Sequence, residues 1–505
     1  MSLTALSRNK NVAWTLLGLV AVVVLALVGE NVFFVRLVLM WTDSLIFLLF
    51  ALILLFMAFA SQHEHLSAPW RQVRRRRLGM ISVVVLLAYV VIGLTDSIHF
   101  NYAVDGSAAD SDQSAMKYSG EIVSVFDVIL DPVTQRIEKT YSAPFAIRAF
   151  VKENIELADG TVTRGYPKLK YGGAHLKDDK GRVTDIASKT VLGALYGLLL
   201  TAFLTAALIF TLAISQKKKF SQILQNIFNK ETETPWHYVI LTVAVLCILM
   251  MASVQLSTSY HIFGTDKVGQ DVFYQTLKSI RTGLVIGTLT TLIMLPFAVL
   301  FGIMAGYFRG WVDDVIQYTY TTLNSIPGIL LIAASILLLQ VYMAQNEHLF
   351  NSILERNDLR LLFLCMILGI TSWTGLCRML RGETLKLREM DYIQSATALG
   401  VSRMVIIVRH ILPNVMHIVL IAIVLDFSGL VLAEAVLSYV GIGVDPGMNS
   451  WGNMINQARL EMARDPMVWW SLIAAFVFMF ILVLAANMFS DAVRDAYDPR
   501  LREKG

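Results

Sequence analysis

The chain is poor in charge. Asp, Glu, Lys and Arg make up 16% of its 505 residues, against about a quarter in ordinary soluble domains. It is also poor in cysteine, with Cys247, Cys365 and Cys377 as its three thiols. An odd and dispersed set like this offers neither a disulfide framework nor a metal-ligand spacing, and the three read as small apolar packing residues. Catalytic signatures are missing too. No glycine-rich loop runs into Gly-Lys-Ser/Thr, so there is no Walker A phosphate cradle, and neither a nucleophile elbow nor an HExxH occurs. The chain is therefore not expected to be an enzyme, and no catalytic, cofactor-binding or metal residue is nominated. A net charge of +4 is too small to argue for nucleic acid.

What it does have is apolar sequence. Hydrophobic residues make up 56% of the chain, and the mean hydropathy is +0.61. They fall in runs long enough for a helix to cross roughly 30 Å of hydrocarbon, where only a helix satisfies its own backbone. Spans are expected at 12–29, 40–60, 79–95, 189–214, 237–255, 281–306, 314–343, 359–380, 415–437 and 468–488. The predicted fold is an all-α polytopic membrane protein of about ten transmembrane helices, with a small, mostly β domain on one side. The first span, which follows Arg8 and Lys10, is either a cleaved signal peptide or an uncleaved anchor. Leu27-Val28-Gly29 is a poor cleavage site, and a second span follows at once, which favours an uncleaved anchor.

Basic residues orient the spans. Arg71 and Arg74 to Arg77, Lys217 to Lys219, Arg309, the group from Arg378 to Arg409, and Arg494, Arg500, Arg502 and Lys504 all fall on one face. The positive-inside rule assigns that face, and both termini, to the cytoplasm. The organisation read from this is a two-helix extension with a basic linker (1–78), a third helix (79–95), a polar outer segment (96–188), two helices with a cytoplasmic linker (189–255) and a core (256–505). Residues 1–78 carry no chemistry the sequence identifies and read as an accessory membrane anchor. The 96–188 segment alternates at Glu121 to Val125 and Arg148 to Val151, has a turn at Ala158-Asp159-Gly160-Thr161 and has a loop-like stretch from Asp105 to Gln113. A short amphipathic helix is expected at Phe220 to Phe228.

Two polar stretches stand out within the core. Asp391 to Asn414 lies between apolar runs yet carries Asp391, Arg403, Arg409 and His410, charges that could not be stranded in hydrocarbon. It reads as two short helices on the wet side. Gly400 suits the left-handed turn ending the first, Ser402 suits the N-cap of the second, and Pro413 is expected to end it. The other stretch runs from Gly264 to Val272, GTDKVGQDV. Gly264 and Gly269 permit tight turns there, and Asp266 and Asp271 are expected to cap following helices. Pro327 interrupts the seventh span, as a hinge or as a static bend. Asp426 and Glu434 place carboxylates at membrane depth, which points to a bundle interior or a water-filled path. Gly302 and Gly306 have the small-xxx-small spacing that allows close helix approach.

These stretches carry a resemblance. Gln394-Ser395-Ala396, Gly400 and Leu412-Pro413 match the spacing of the "EAA" loop of ABC-importer permeases, with Gln for Glu and Ser for Ala. Gly264 to Val272 resembles the GTDxxGRDV signature of the oligopeptide/dipeptide/nickel permeases, with Gln270 where Arg is usual. Leu432 to Gly443, Ser450-Trp451-Gly452-Asn453-Met454 and Asn487 to Arg502 resemble further stretches in family order. The resemblance implies a C-type permease subunit in the bacterial inner membrane, with an N-terminal extension and a periplasmic insertion. It implies a second homologous permease subunit, two cytoplasmic ABC ATPases, a periplasmic substrate-binding protein and peptide-class cargo.

The residue roles follow from the same resemblance. The 381–413 loop would couple to the ATPases through Arg388, Tyr392, Gln394, Ser395, Ala396, Gly400, Arg403, Arg409 and Pro413. Pro327, Asp426 and Glu434 would serve the pore or its gate. Gly264, Asp266, Gly269, Asp271 and Trp451 would form the periplasmic signature. The 96–188 domain would dock the delivery protein, cover the pore or serve as a structural insertion. The competing class is a membrane scaffold or receptor with a degenerate permease core, binding a partner through 96–188. Its support is the loss of Glu at Gln394 and of Arg at Gln270.

Overall fold

A computed structural model describes residues 35–60, 64–102, 122–156, 162–176, 179–229, 232–346, 348 and 352–497. The expected 12–29 span, the Asp105 to Gln113 loop, the Ala158 to Thr161 turn and the basic residues after Tyr497 lie outside these. In chain order the elements begin with β1 (Val35–Val38), α1 (Trp41–Ala60), α2 (Glu64–Arg75), α3 (Arg77–Asp96), β2 (His99–Tyr102), β3 (Val123–Ser124), α4 (Val125–Ile129) and α5 (Asp131–Thr134). There follow β4 (Glu153–Glu156), β5 (Val162–Gly165), α6 (Arg182–Gln216), α7 (Phe220–Phe228), α8 (Trp236–Ser257) and α9 (Val272–Phe308). The rest are α10 (Trp311–Ser325), α11 (Gly328–Gln345), α12 (Ile353–Ser372), α13 (Thr374–Arg388), α14 (Asp391–Ala398), α15 (Arg403–Ile406), α16 (Leu412–Tyr439), α17 (Trp451–Glu461) and α18 (Trp470–Tyr497).

Among the described residues, nine helical stretches are long and apolar enough to cross a membrane. They are α1, α3, α6, α8, α9, α11, the α12–α13 run, the run from Arg403 to Tyr439, and α18. If successive spans alternate direction, the Asp391 loop, α7 and α2 share one face. The Gly264 loop, the insertion and α17 share the other. The protein is an all-α polytopic membrane protein, with two small sheets among the described residues.

Two expected elements differ. The seventh span is not one kinked helix. It is divided at Ile326-Pro327 into α10 and α11, and only α11 has the length and apolarity of a span. Proline forces its predecessor out of the helical region, and Ile326 is extended at ψ 129. The 96–188 segment holds strands, but they are short, and loops and single-turn helices make up most of what is described. Its first sheet is also shared. β2 pairs antiparallel with β1 from the N-terminal region (Val35↔Tyr102, Val38↔His99) and with β3 on its other side, while β4 and β5 form a separate hairpin.

Close helix approach organises the core. Gly302 and Gly306 of α9 face α13, where a Cβ would meet Leu380 Cβ at 2.7 Å and Thr384 Cβ at 2.6 Å. Gly193 and Gly197 of α6 lie directly against the α8 backbone. The three cysteines are buried and free. On the basic face, α2 lies along the end of α18: Val73 packs with Ala492 and Val493, and Arg76 pairs with Asp495.

Candidate functional site

The loop after α13 is an elbow with a fixed base and an open surface. Ile393 of α14 and Ile406 of α15 are buried at 1% and 0%, in one apolar cluster with Leu380, Tyr307 and Val415. Arg388 donates to the Tyr307 carbonyl at 2.9 Å. Arg381 holds Asp313 through two hydrogen bonds of 2.6 and 2.7 Å, and Arg309 pairs with Glu389 at 2.6 Å. These bonds tie the base of the elbow to the α9–α10 turn. The outer surface is apolar and open: Leu399 is 84% exposed, Met404 66% and Met390 51%. Large apolar side chains exposed together on a loop are commonly found against a partner.

Gly400 adopts φ +77 with nothing within 4 Å of a would-be Cβ, so backbone conformation rather than space selects glycine there. Gln394 donates to the Glu389 carbonyl at 3.1 Å, and Asn414 donates to the Tyr392 hydroxyl at 3.2 Å. Ser395 is exposed and Ala396 packs on the cluster. Arg403 and Arg409 are exposed and find no partner among the described residues. Ser402 occupies the N-cap position, but its side chain accepts no capping bond. Pro413 does not end the second helix. Ile407–Ile411 form a π turn, and the helix continues as α16 with Pro413 in its first turn. The π turn supplies the room the ring needs, because a proline inside a regular helix clashes with the carbonyl four residues back.

The opposite face carries a latch between the signature loop and the insertion. Gly264 (φ +71) and Gly269 (φ +80) turn the chain, and a Cβ on either would overlap the Ser142 or Glu138 carbonyl. Asp271 caps α9, accepting from Phe273 N at 2.8 Å. Asp266 caps no helix. It closes the turn instead, accepting from Val268 N, Gln270 N and Gln275 Nε2, and burial pushes its carboxyl up. Gln270 Oε1 accepts from Gln275 in turn.

His261, a residue to which the sequence reading gave no role, lies between two carboxylates. Its Nδ1 is 2.7 Å from Asp271 and its Nε2 is 3.3 Å from Glu138. Burial alone would lower the imidazole pKa, but the hydrogen bonds to Asp271 and Glu138 raise it to about 9. Burial would likewise raise Glu138. The bond from His261 and the amides of Tyr171, Lys170 and Gly172 hold it at about 2. The imidazolium thus donates from both nitrogens. Glu138 N also donates to the Gly269 carbonyl at 3.0 Å, and Ser142 N to Thr265 Oγ1 at 2.6 Å. The insertion is bolted to the core rather than suspended from it.

The remaining candidates are dispersed. Glu434 is 1% exposed, accepts from Ser438 at 2.7 Å and lies against Gly452 of α17. Trp451 is buried and donates to the Thr276 carbonyl at 3.1 Å. Asp426 is half-buried, without a partner among the described residues. Pro327 is exposed at the α10–α11 break.

A second buried network joins α1 to the core. Asp43, at the start of α1, is fully buried and pairs with Arg281 of α9 at 2.6 Å and with His99 at 2.9 Å. Asp358 of α12 lies 3.6 Å from Arg281 and accepts from the Thr42 amide at 3.1 Å. Lone polar residues at the ends of apolar runs gave no sign of this pairing, which spans most of the chain.

The family described as "Binding-protein-dependent transport system inner membrane component" matches residues 298–503. The chain is similar to the oligopeptide transport system permease protein OppC of Haemophilus influenzae, 31% identical over 254 residues, covering 50% of this chain and 75% of that one. It is similar to the glutathione transport system permease protein GsiD of Pectobacterium atrosepticum, 31% identical over 48% of this chain and 74% of that one. It is also similar to the dipeptide transport system permease protein DppC of Lactococcus lactis, 30% identical over 48% and 65%. With its apolar helices and these relatives, the chain belongs to the oligopeptide and dipeptide branch of the ABC-importer inner-membrane permeases.

Proposed function

We propose that the chain forms half of the pore of an ATP-driven importer for peptides or related small solutes, with both termini in the cytoplasm. A second homologous permease completes the pore, two separate cytoplasmic ATPases drive it, and a periplasmic substrate-binding protein delivers cargo. The observation that carries this reading is the elbow at 388–413, with Ile393 and Ile406 rooted in the core and Leu399 and Met404 open. A rigidly rooted apolar tip transmits displacement, as a coupling element must. Arg403 and Arg409, exposed and unpartnered among the described residues, are available to acidic groups of an ATPase. Asp426 is the candidate for the transport path, and the α10–α11 break at Pro327 is the candidate gate. Glu434, buried against α17, would hold the outer scoop. The latch at His261 favours the insertion as a fixed docking platform for the delivery protein over a swinging lid.

The reading is tested by Leu399→Glu and Met404→Glu. Both sites are exposed, so the fold should survive, while co-purification of the ATPases and coupled uptake should be lost. Full retention of both would reject the coupling role.

A further inference from the structure

The apolar residues of helix α7 form one broad face, of which one edge is buried and the other open. Ile223 and Ile227 are buried at 3% and 5% against the α6–α8 hairpin, in contact with Ile209 and Trp236. Phe220, Leu224 and Phe228 follow one another at four-residue spacing and remain exposed at 44%, 42% and 83%. This open edge of the apolar stripe has nothing to cover it among the described residues. Immediately before it, Lys217, Lys218 and Lys219 are all exposed and have no partner among the described residues. Lys217 ends α6 in the left-handed conformation, and Lys219 is the N-cap of α7 without a side-chain capping bond. The first-turn amides of α7 are thus free of a side-chain cap beside three cations.

Connectivity fixes where this lies. Both α6 and α8 are candidate spans, so the short helix joining them sits at the edge of the hydrocarbon. An apolar stripe, a lysine cluster and uncapped amides at that depth are matched together by one chemistry, a phosphodiester headgroup with its acyl chains. Water would satisfy the lysines and amides but not the stripe. We infer that α7 with Lys217–Lys219 is an interfacial anchor that binds anionic phospholipid in the leaflet on the elbow's side. The cytoplasmic assignment of that leaflet rests on the topology proposed above. The feature lies outside the family-matched residues 298–503.

Two measurements on the full chain test it. The native cysteines are buried, so a nitroxide attached at Phe228→Cys reports selectively. In liposomes of phosphatidylglycerol and phosphatidylethanolamine it should be reached by oxygen in preference to a nickel chelate. Native mass spectrometry with phosphatidylglycerol should then show stronger retention than with phosphatidylcholine. Each Lys→Gln change at 217, 218 or 219 should weaken phosphatidylglycerol binding about fivefold, the effect of one cation near an anionic surface, with phosphatidylcholine unchanged. A chelate-accessible label, equal lipid retention in the triple Gln variant, or a label shielded only when the ATPases are added would each overturn the proposal. Neither readout requires transport, so a failed importer reading and a failed lipid site are distinguishable.

Discussion

Replacing His261 by Leu removes the cation between Glu138 and Asp271, whose side chains are 3% and 4% exposed. Moving the imidazole pKa from 6.5 to about 9 corresponds to about 3 kcal/mol at 1.36 kcal/mol per unit. The depression of Glu138 to about 2 describes partly the same bonds and is not added. Stripping one partner from a buried charge pair typically costs about 3–5 kcal/mol, in agreement. The effect should be local, because the latch joins the insertion to the signature loop. The amides of Glu138, Ser142 and Phe145 bond across that joint and should exchange hydrogen on the order of 200-fold faster in the variant.

The pH dependence has a definite sign. A folded pKa raised above the unfolded value contributes stability that is complete below about pH 6.5 and is lost as pH rises through about 9. Wild-type protection of these amides, corrected for intrinsic exchange, should decline across that window, and His261→Leu should be flat across it. The Glu138 contribution is present above pH 4.5 and is lost as pH falls toward 2, outside the window measured. Hydrogen exchange read by mass spectrometry on protein in nanodiscs decides the matter. Unchanged protection at pH 6, or an equal slope in the variant, would refute the latch.

Arg281→Met should leave Asp358 buried without its cation and Asp43 with His99 as its remaining ring partner, at a cost of about 3–5 kcal/mol. The thermal midpoint should fall and protection should be lost at β1, with partial recovery when Asp43→Asn is added. Gly400→Val should place a β-branched residue at φ +77, at about 1–2 kcal/mol. The site is open, so thermal stability should fall little while coupled uptake falls. Gly400→Asn should retain more uptake than Gly400→Val, because Asn tolerates that conformation.

Local signals in the sequence carried well where the physics is local. Apolar run length located eight of the nine described spans and, within the expected 314–343 run, the half that forms the ninth; Gly400 and Gly269 adopt positive φ, and Gly302 and Gly306 give the close approach their spacing implies. Pro413 misled because the π turn before it relieves a clash that a regular helix could not. Ser402 and Asp266 have the right residue type for caps, but the next turn of chain gives neither a capping bond to a following helix. The two buried networks were invisible for a different reason. His261 meets Glu138 across 123 positions and Arg281 meets Asp43 across 238, and no periodicity or motif reports pairings made only by tertiary closure. The same closure explains why 96–188 is not a self-contained sheet: β1 completes it from the other end of two membrane helices.

The central claim is that the elbow's open tip is where a separate ATPase pushes. A photo-reactive amino acid at Leu399, which is 84% exposed, tests this in native membranes containing the partner subunits. An adduct with an ATPase subunit, changing in yield between nucleotide-free and ATP-bound states, is the predicted result. Adducts with lipid alone, or none under either condition, would contradict the account.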